Sequence, residues 1–285
     1  MSKDSRMSSK VRVNRLFSNG KCLDVALDHG IANEPSFYGG LENFPEVMAK
    51  VVKAAPDAIQ VNYGQARLLQ DTPGKNKPAL VLRTDIANGY NKILHKFMWA
   101  TLQNAEEPIL AALQLDAAAV VVNIYQMPGE QELFRDCIVN VSKLRRECEK
   151  FAMPLMIEPL ALQLPSDKGG YIVDGDVEKI VNLVRMSQEL GADIIKVDPT
   201  DEAEDFHRVV EAAGHVPVLV RGGGKGDLKP VLAKSAALMQ QGASGMVYGR
   251  NVYQHDNPSG VVAALMAIIH EGADGEEAFD IYSRA

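Results

Sequence analysis

One lysine stands out by type and by place. Lys196 lies near the end of an apolar run, Gly191-Ala192-Asp193-Ile194-Ile195-Lys196-Val197-Asp198. Burial among apolar neighbours disfavours the charged form of an amine, and a neutral amine can attack a ketone and form a Schiff base. The next two apolar runs both end on glycine and arginine. Val216-Pro217-Val218-Leu219-Val220 leads into Arg221-Gly222-Gly223-Gly224, and Gly245-Met246-Val247-Tyr248 into Gly249-Arg250-Asn251. Glycines let backbone N–H groups approach a phosphate closely, and a guanidinium adds a charge-assisted pair. Together these features point to a phosphorylated carbonyl compound, attacked by Lys196 and held at Gly222, Gly223, Gly249 and Arg250. The plainer alternatives are a lysine salt-bridged to Asp28 or Glu158, and glycines that only serve tight turns.

Such residues need a scaffold that brings them to one place. Eight strand-like runs can be read along the chain: Cys22–Leu27, Asp57–Val61, Ala79–Thr84, Ala118–Ile124, Pro154–Ile157, Ala192–Val197, Val216–Val220 and Gly245–Gly249. Most are continuous rather than alternating in apolar character, as expected of parallel strands buried on both faces. Helical periodicity lies between them, over Glu130–Phe151, Asp176–Leu190, Asp227–Gln241 and Ser259–Glu271. The nearest thing to a break is the short loop Asp71–Pro78. The pattern predicts a (β/α)8 TIM barrel in a single domain over residues 1–285, with residues 1–10 as a polar, flexible tail. A doubly wound open sheet would call for a glycine fingerprint after the first strand, where Asp28-His29-Gly30 stands instead.

In a barrel the site forms at the carboxyl ends of the strands. There the sequence places Asp28 and His29, Asn62, Arg83 with Asp85, Tyr125, Glu158, Lys196 with Asp198, Arg221, and Gly249-Arg250. A ring of charges around an apolar core is costly unless paired or used. Glu158, between Met156-Ile157 and Pro159, is expected to have a raised pKa and to act as the acid/base. Tyr125 is the rival proton donor, Asp28 orients hydroxyls or assists carbinolamine chemistry, and His29, Arg83 and Arg221 contact substrate. Asn251–Gln254 is expected to form a short extra helix beside the phosphate. No metal or cofactor is expected: of six histidines only His29 falls at a strand end, and no HxH or HExxH spacing occurs.

The remaining composition narrows the partners. A formal charge of -7 disfavours nucleic acid, which calls for a basic surface. Three cysteines without CxxC spacing fit a reduced, cytoplasmic setting, and no apolar stretch approaches a membrane span. The first ten residues are polar, unlike a secretory signal. The chain is expected to form a homo-oligomer, with an exposed C-terminal stretch, Gly275–Ala285, contributing to an interface.

Four motifs in order resemble the DeoC/FbaB/LacD aldolase family, from about Leu16 to the C-terminus: Asp28-His29-Gly30, Gly191 to Lys196, Val216 to Gly223, and Gly249-Arg250-Asn251-Val252-Tyr253-Gln254. The resemblance implies a class I, Schiff-base aldolase on a TIM barrel, the group that includes archaeal-type fructose-bisphosphate aldolases. It implies that Lys196 is the Schiff-base lysine and that Asp28 lies beside the reacting carbons. It also implies that the Gly222-Gly223 and Gly249-Arg250 backbones hold the phosphate. Val81-Leu82-Arg83 with Ala87-Asn88, and Gln241-Gly242-Ala243-Ser244-Gly245, resemble the autoinducer-2 phosphate thiolase branch. That branch shares the lysine and implies acyl transfer from a phosphorylated diketone as the alternative reaction; a non-catalytic phosphosugar-binding barrel is the third reading. The archaeal subgroup carries Trp-x-Tyr-Pro after strand five, and its tyrosine moves the proton. Here Ile157-Glu158-Pro159-Leu160 sets Leu160 in that tyrosine's place, and the nearby glutamate resembles tagatose-bisphosphate aldolases.

Overall fold

The computed structural model describes residues 9–74, 77–92, 97–102, 108–164 and 172–285. Most of the expected tail, and residues 75 and 76 of the expected Asp71–Pro78 loop, lie outside these; residues 9–13 are helical. Eight parallel strands close into a barrel: β1 Cys22–Ala26, β2 Ala58–Asn62, β3 Ala79–Arg83, β4 Ala119–Gln126, β5 Leu155–Gln163, β6 Ile194–Val197, β7 Val218–Arg221 and β8 Gly245–Tyr248. Each pairs with the next, and β8 closes on β1. The predicted TIM barrel is thus the observed fold.

The strands' outward faces pack under helices. These include α1 Phe44–Ala54, α2 Tyr63–Gln70, α3 Pro108–Gln114, α4 Gln131–Phe151, α5 Val177–Glu189, α6 Phe206–Ala213, α7 Leu228–Gln240 and α8 Pro258–Met266. Helix α4 buries Leu133, Cys137, Val141, Leu144 and Cys148, a stripe at steps of three and four residues that presses one face onto the barrel. Fully burying each such leucine or valine contributes roughly 1.5–3 kcal/mol. The C-terminal stretch is not a free arm: α9 Gly275–Arg284 docks against α7 and α8, starts with a capping box at Asp274 and Glu277, and buries Ala278.

Inside, the registers stack the side chains in layers taken alternately from odd and even strands. The lower layers are apolar, Ala58, Ala119 and Ile194, then Val81, Met156 and Leu219. Asp24 shares the second of these. Above it come Gln60, Val121, Lys196 and Val247, then Ala26, Arg83, Glu158 and Arg221, and then Asn62, Asn123 and Asp198. The barrel therefore changes from oil to charge within one layer. β5 is longer than its apolar run suggested, because it continues through Gln163 and pairs there with Ile172–Val173. Glu158 consequently lies inside the strand rather than at its end. No helix among the described residues is long and apolar enough to cross a membrane.

Candidate active site

At the carboxyl ends of the strands a cavity with about 580 Å3 of empty space, mouth included, is lined by Asp28, His29, Arg83, Tyr125, Glu158, Lys196, Arg221, Gly222, Gly223 and Gly249 among others. Of the strand-end residues selected from the sequence, Asn62, Asp85, Asp198 and Arg250 are not among its lining residues; Asp85 and Asp198 reach it through the arginines they pair with. Lys196 Nζ lies 3.1 Å from Glu158 Oε2 and donates to Gln60 Oε1 at 3.3 Å. The same Glu158 oxygen meets Arg83 Nη2 at 2.5 Å, and its other oxygen meets Arg221 Nε at 3.1 Å. Arg83 also reaches Asp28 at 2.8 Å through Nε and Asp85 at 3.2 Å through Nη1. Gln60 donates to Asp28 Oδ2 at 2.6 Å, and Arg221 Nη1 donates to Asp198 at 2.5 Å. Three cations thus interlock with four carboxylates, all buried.

This wiring sets the protonation states. Burial pushes Glu158 up, but Lys196, Arg83 and Arg221 outweigh it and hold the carboxyl well below its usual range. The raised value expected from an apolar pocket is therefore corrected: the pocket around Glu158 is cationic, and its resting form is the carboxylate, a base. Asp28 is likewise held low, burial being outweighed by Arg83 and Lys196. Burial prevails at Asp85 and Asp198, which are raised despite their arginines. His29 is pushed down to about 3, chiefly by burial, so its ring is neutral. It sits edge-on to Phe37 and Tyr253. Burial raises the Tyr125 phenol well above its ordinary value.

The β7–β8 corner is built differently. Gly222 donates its N–H to Val247 O at 3.2 Å, and a Cβ there would stand 2.7 Å from the Tyr248 ring. A Cβ on Gly249 would stand 2.6 Å from Ala26 O. These two glycines are thus required by packing. Gly223 has φ +61° with open space where a side chain would go, so its backbone conformation is what calls for glycine. Asn251 ties the two turns together, donating to Gly222 O and accepting from Gly226 N at 2.9 Å. The short helix forms one residue earlier than expected, over Arg250–Tyr253. Arg250 lies 4.1 Å over the Phe37 ring, beside Gly224, and among the described residues it has no carboxylate partner.

Three residues escaped the sequence. Gln60, inside β2, bridges Lys196 and Asp28. Tyr90, from the segment after β3, packs against Phe37 and Tyr125 and lies 5.3 Å from the Arg221 guanidinium, with its buried hydroxyl unpartnered among the described residues. Asp24 lies in the apolar lumen. For Gln60 and Asp24 a signal existed, a polar side chain inside an otherwise apolar strand run. Leu160 is buried and apolar. Glu158 directly precedes Pro159, as the tyrosine directly precedes the proline in Trp-x-Tyr-Pro, so by that spacing the tyrosine's place belongs to Glu158 rather than Leu160.

Comparison with known proteins supports the barrel fold and assigns the chain to a family. The sequence profile of the DeoC/LacD family aldolase matches residues 22–255, and the chain belongs to that family. It is 32% identical over 280 residues to an uncharacterised aldolase of Saccharolobus solfataricus, covering 96% of this chain and 99% of that protein. It is 26% identical over 267 residues to the 2-amino-3,7-dideoxy-D-threo-hept-6-ulosonate synthase of Halobacterium salinarum, covering 94% and 93%. An archaeal fructose-1,6-bisphosphate aldolase, solved with its catalytic lysine bound to the carbinolamine intermediate of the substrate, shares the fold with a TM-score of 0.72 at 24% identity, over 92% of this chain and 99% of that one.

Proposed function

We propose that the protein is a class I aldolase that cleaves or forms a carbon–carbon bond in a phosphorylated ketose through an imine on Lys196. The observation that carries this reading is the 3.1 Å contact between Lys196 Nζ and an ionised Glu158, both buried beneath an arginine-lined cavity. Glu158 takes a proton from the Lys196 ammonium, and the freed nitrogen pair attacks the ketone carbon to give a carbinolamine. Glu158 returns that proton to the departing hydroxyl; water leaves and a protonated imine remains. In the cleavage direction Glu158 then removes the proton of the hydroxyl on the far carbon. The carbon–carbon bond breaks, an aldehyde departs, and the electron pair enters the iminium as an enamine. Arg83 and Arg221 keep their charge throughout, so Glu158 readily gives up each proton it accepts and returns to the carboxylate.

Asp28, fixed by Gln60 and Arg83, stands beside the reacting carbons, while His29 and Arg221 border the substrate. The phosphate lies against Gly223, Gly249 and Arg250, whose guanidinium has no carboxylate partner among the described residues. Arg83 reaches the substrate mainly through the carboxylates it holds. The buried free thiols Cys22, Cys137 and Cys148 support a reduced, cytoplasmic setting. The whole of residues 1–285 is read as one domain that assembles as a homo-oligomer, and its chemistry proceeds without a metal. Borohydride reduction in the presence of phosphorylated ketoses should fix a covalent adduct. Absence of any adduct across such ketoses, or a requirement for coenzyme A, would turn the assignment toward a non-catalytic sugar-binding barrel or toward the thiolase.

A further inference from the structure

Among the described residues, the lower lumen of the barrel holds one charge-bearing group that the reaction above does not use. Asp24 faces inward from β1, is fully buried, and neither carboxylate oxygen has a hydrogen-bond partner among the described residues. Its layer is otherwise Val81, Met156 and Leu219, and the layer directly above holds Lys196. An unpartnered buried carboxylate is expensive, and an apolar residue would fill the same lumen without that cost.

We propose that Asp24 is a positioning residue for Lys196, a protonatable carboxyl under the lysine that governs the pH at which the amine reacts. When Asp24 is ionised it favours the ammonium form of Lys196. When it takes up a proton that attraction vanishes, and the ammonium yields its proton to Glu158 more readily. The surroundings allow this. Burial raises the Asp24 carboxyl to about 7, opposed by Lys196 and Arg83 and reinforced by Asp28 and Glu158. Cys22 lies below it on the same strand, its thiol pushed up by burial and then by Asp24. Gln60, Val121 and Val247 face it from β2, β4 and β8 without charge, and Arg221 lies higher on β7. The device would maintain imine formation as the pH falls below neutral, where an amine in water is fully protonated. The proposal rests on Lys196 as the imine lysine, but its test has an arm that does not.

The test labels aspartate side-chain carboxyls with carbon-13 and follows them by NMR against pH. One resonance, absent in Asp24→Asn, should titrate near neutrality, and its midpoint should move upward in Lys196→Met, where the opposing charge is gone. An ordinary acidic midpoint, or one indifferent to Lys196→Met, overturns the proposal. The second arm measures borohydride-trapped imine with dihydroxyacetone phosphate across pH. Wild type should show an inflection near neutrality that Asp24→Asn lacks, the variant trapping faster than wild type above it. A variant that is slower by the same factor at every pH marks Asp24 as structural only and overturns the idea. If wild type traps nothing, the aldolase reading fails while the NMR arm still decides Asp24. Asp24→Leu provides a fold check. Because the folded value is raised, the carboxyl destabilises the native state increasingly as pH rises from its unfolded range to about 7. The leucine variant should therefore gain Tm over wild type at pH 8 and little at pH 4; an equal or absent gain would contradict the buried ionisation.

Discussion

The lumen beneath the cavity mouth and the β7–β8 corner both carry arginine, yet they treat it in opposite ways. Around Glu158 the guanidinium groups of Arg83 and Arg221 are each held by two or more carboxylates, from Asp28, Asp85, Asp198 and Glu158 itself. At the corner Arg250 rests on the Phe37 ring with no carboxylate among the described residues, while burial lowers its proton affinity. In the closed network every arginine already has its carboxylates, so it calls for no ion from outside. An open cation instead waits for an anion from outside. In the proposed reaction the first region is where bonds change and the second is where the substrate is gripped.

The sharpest break falls on the network. Lys196→Met should lower turnover by on the order of 10⁶-fold, as loss of a nucleophile does, with an unchanged far-ultraviolet circular dichroism spectrum. Substantial residual turnover would remove the lysine from the chemistry. Glu158→Gln should lower kcat by roughly 10²–10⁴ while leaving some imine formation. It should also reduce stability by about 3–5 kcal/mol, since Arg83 and Arg221 lose a buried partner. The sign is fixed by the lowered value: the carboxylate stabilises fully above its ordinary range and loses that effect only as pH falls toward the folded value. The variant's deficit in Tm should therefore be large at pH 7 and shrink in strong acid. Tyr125→Phe is the control; if it loses activity and Glu158→Gln keeps it, the two exchange roles.

At the corner the expected effect is smaller and of another kind. Arg250→Ala should raise KM by roughly 10- to 150-fold, the equivalent of about 1.5–3 kcal/mol for a lost charge-assisted contact, with kcat nearly unchanged. A fall confined to kcat would place Arg250 in the network's company and erase the contrast. Smallest of all is the effect of chelation: protein treated with EDTA should keep its activity, whereas reversible loss restored by zinc would replace the imine mechanism.

The barrel was legible because parallel strands covered on both faces must be apolar throughout, and Val120-Val121-Val122 or Ile194-Ile195 announce that directly. The mouth residues were legible because charge at the end of such a run is conspicuous. Protonation was not, since the state of Glu158 depends on Arg83, Lys196 and Arg221 converging from three other strands, and only the registers reveal that convergence. Gln60 and Asp24 were hidden by the same cause: a polar residue within a strand reads as an interruption until its layer is known. Arg250 was legible as a cation, but not as one that finds no carboxylate among the described residues.

In the proposed reaction a single lysine in the lumen makes the covalent bond, and mass spectrometry can locate that bond. The protein would be reduced with borohydride in the presence of dihydroxyacetone phosphate and a panel of phosphorylated ketoses, digested and mapped. An added mass is expected on the peptide containing Lys196, absent without substrate and absent in Lys196→Met. A modified peptide carrying Lys225 instead, or an adduct that persists in Lys196→Met, would contradict it.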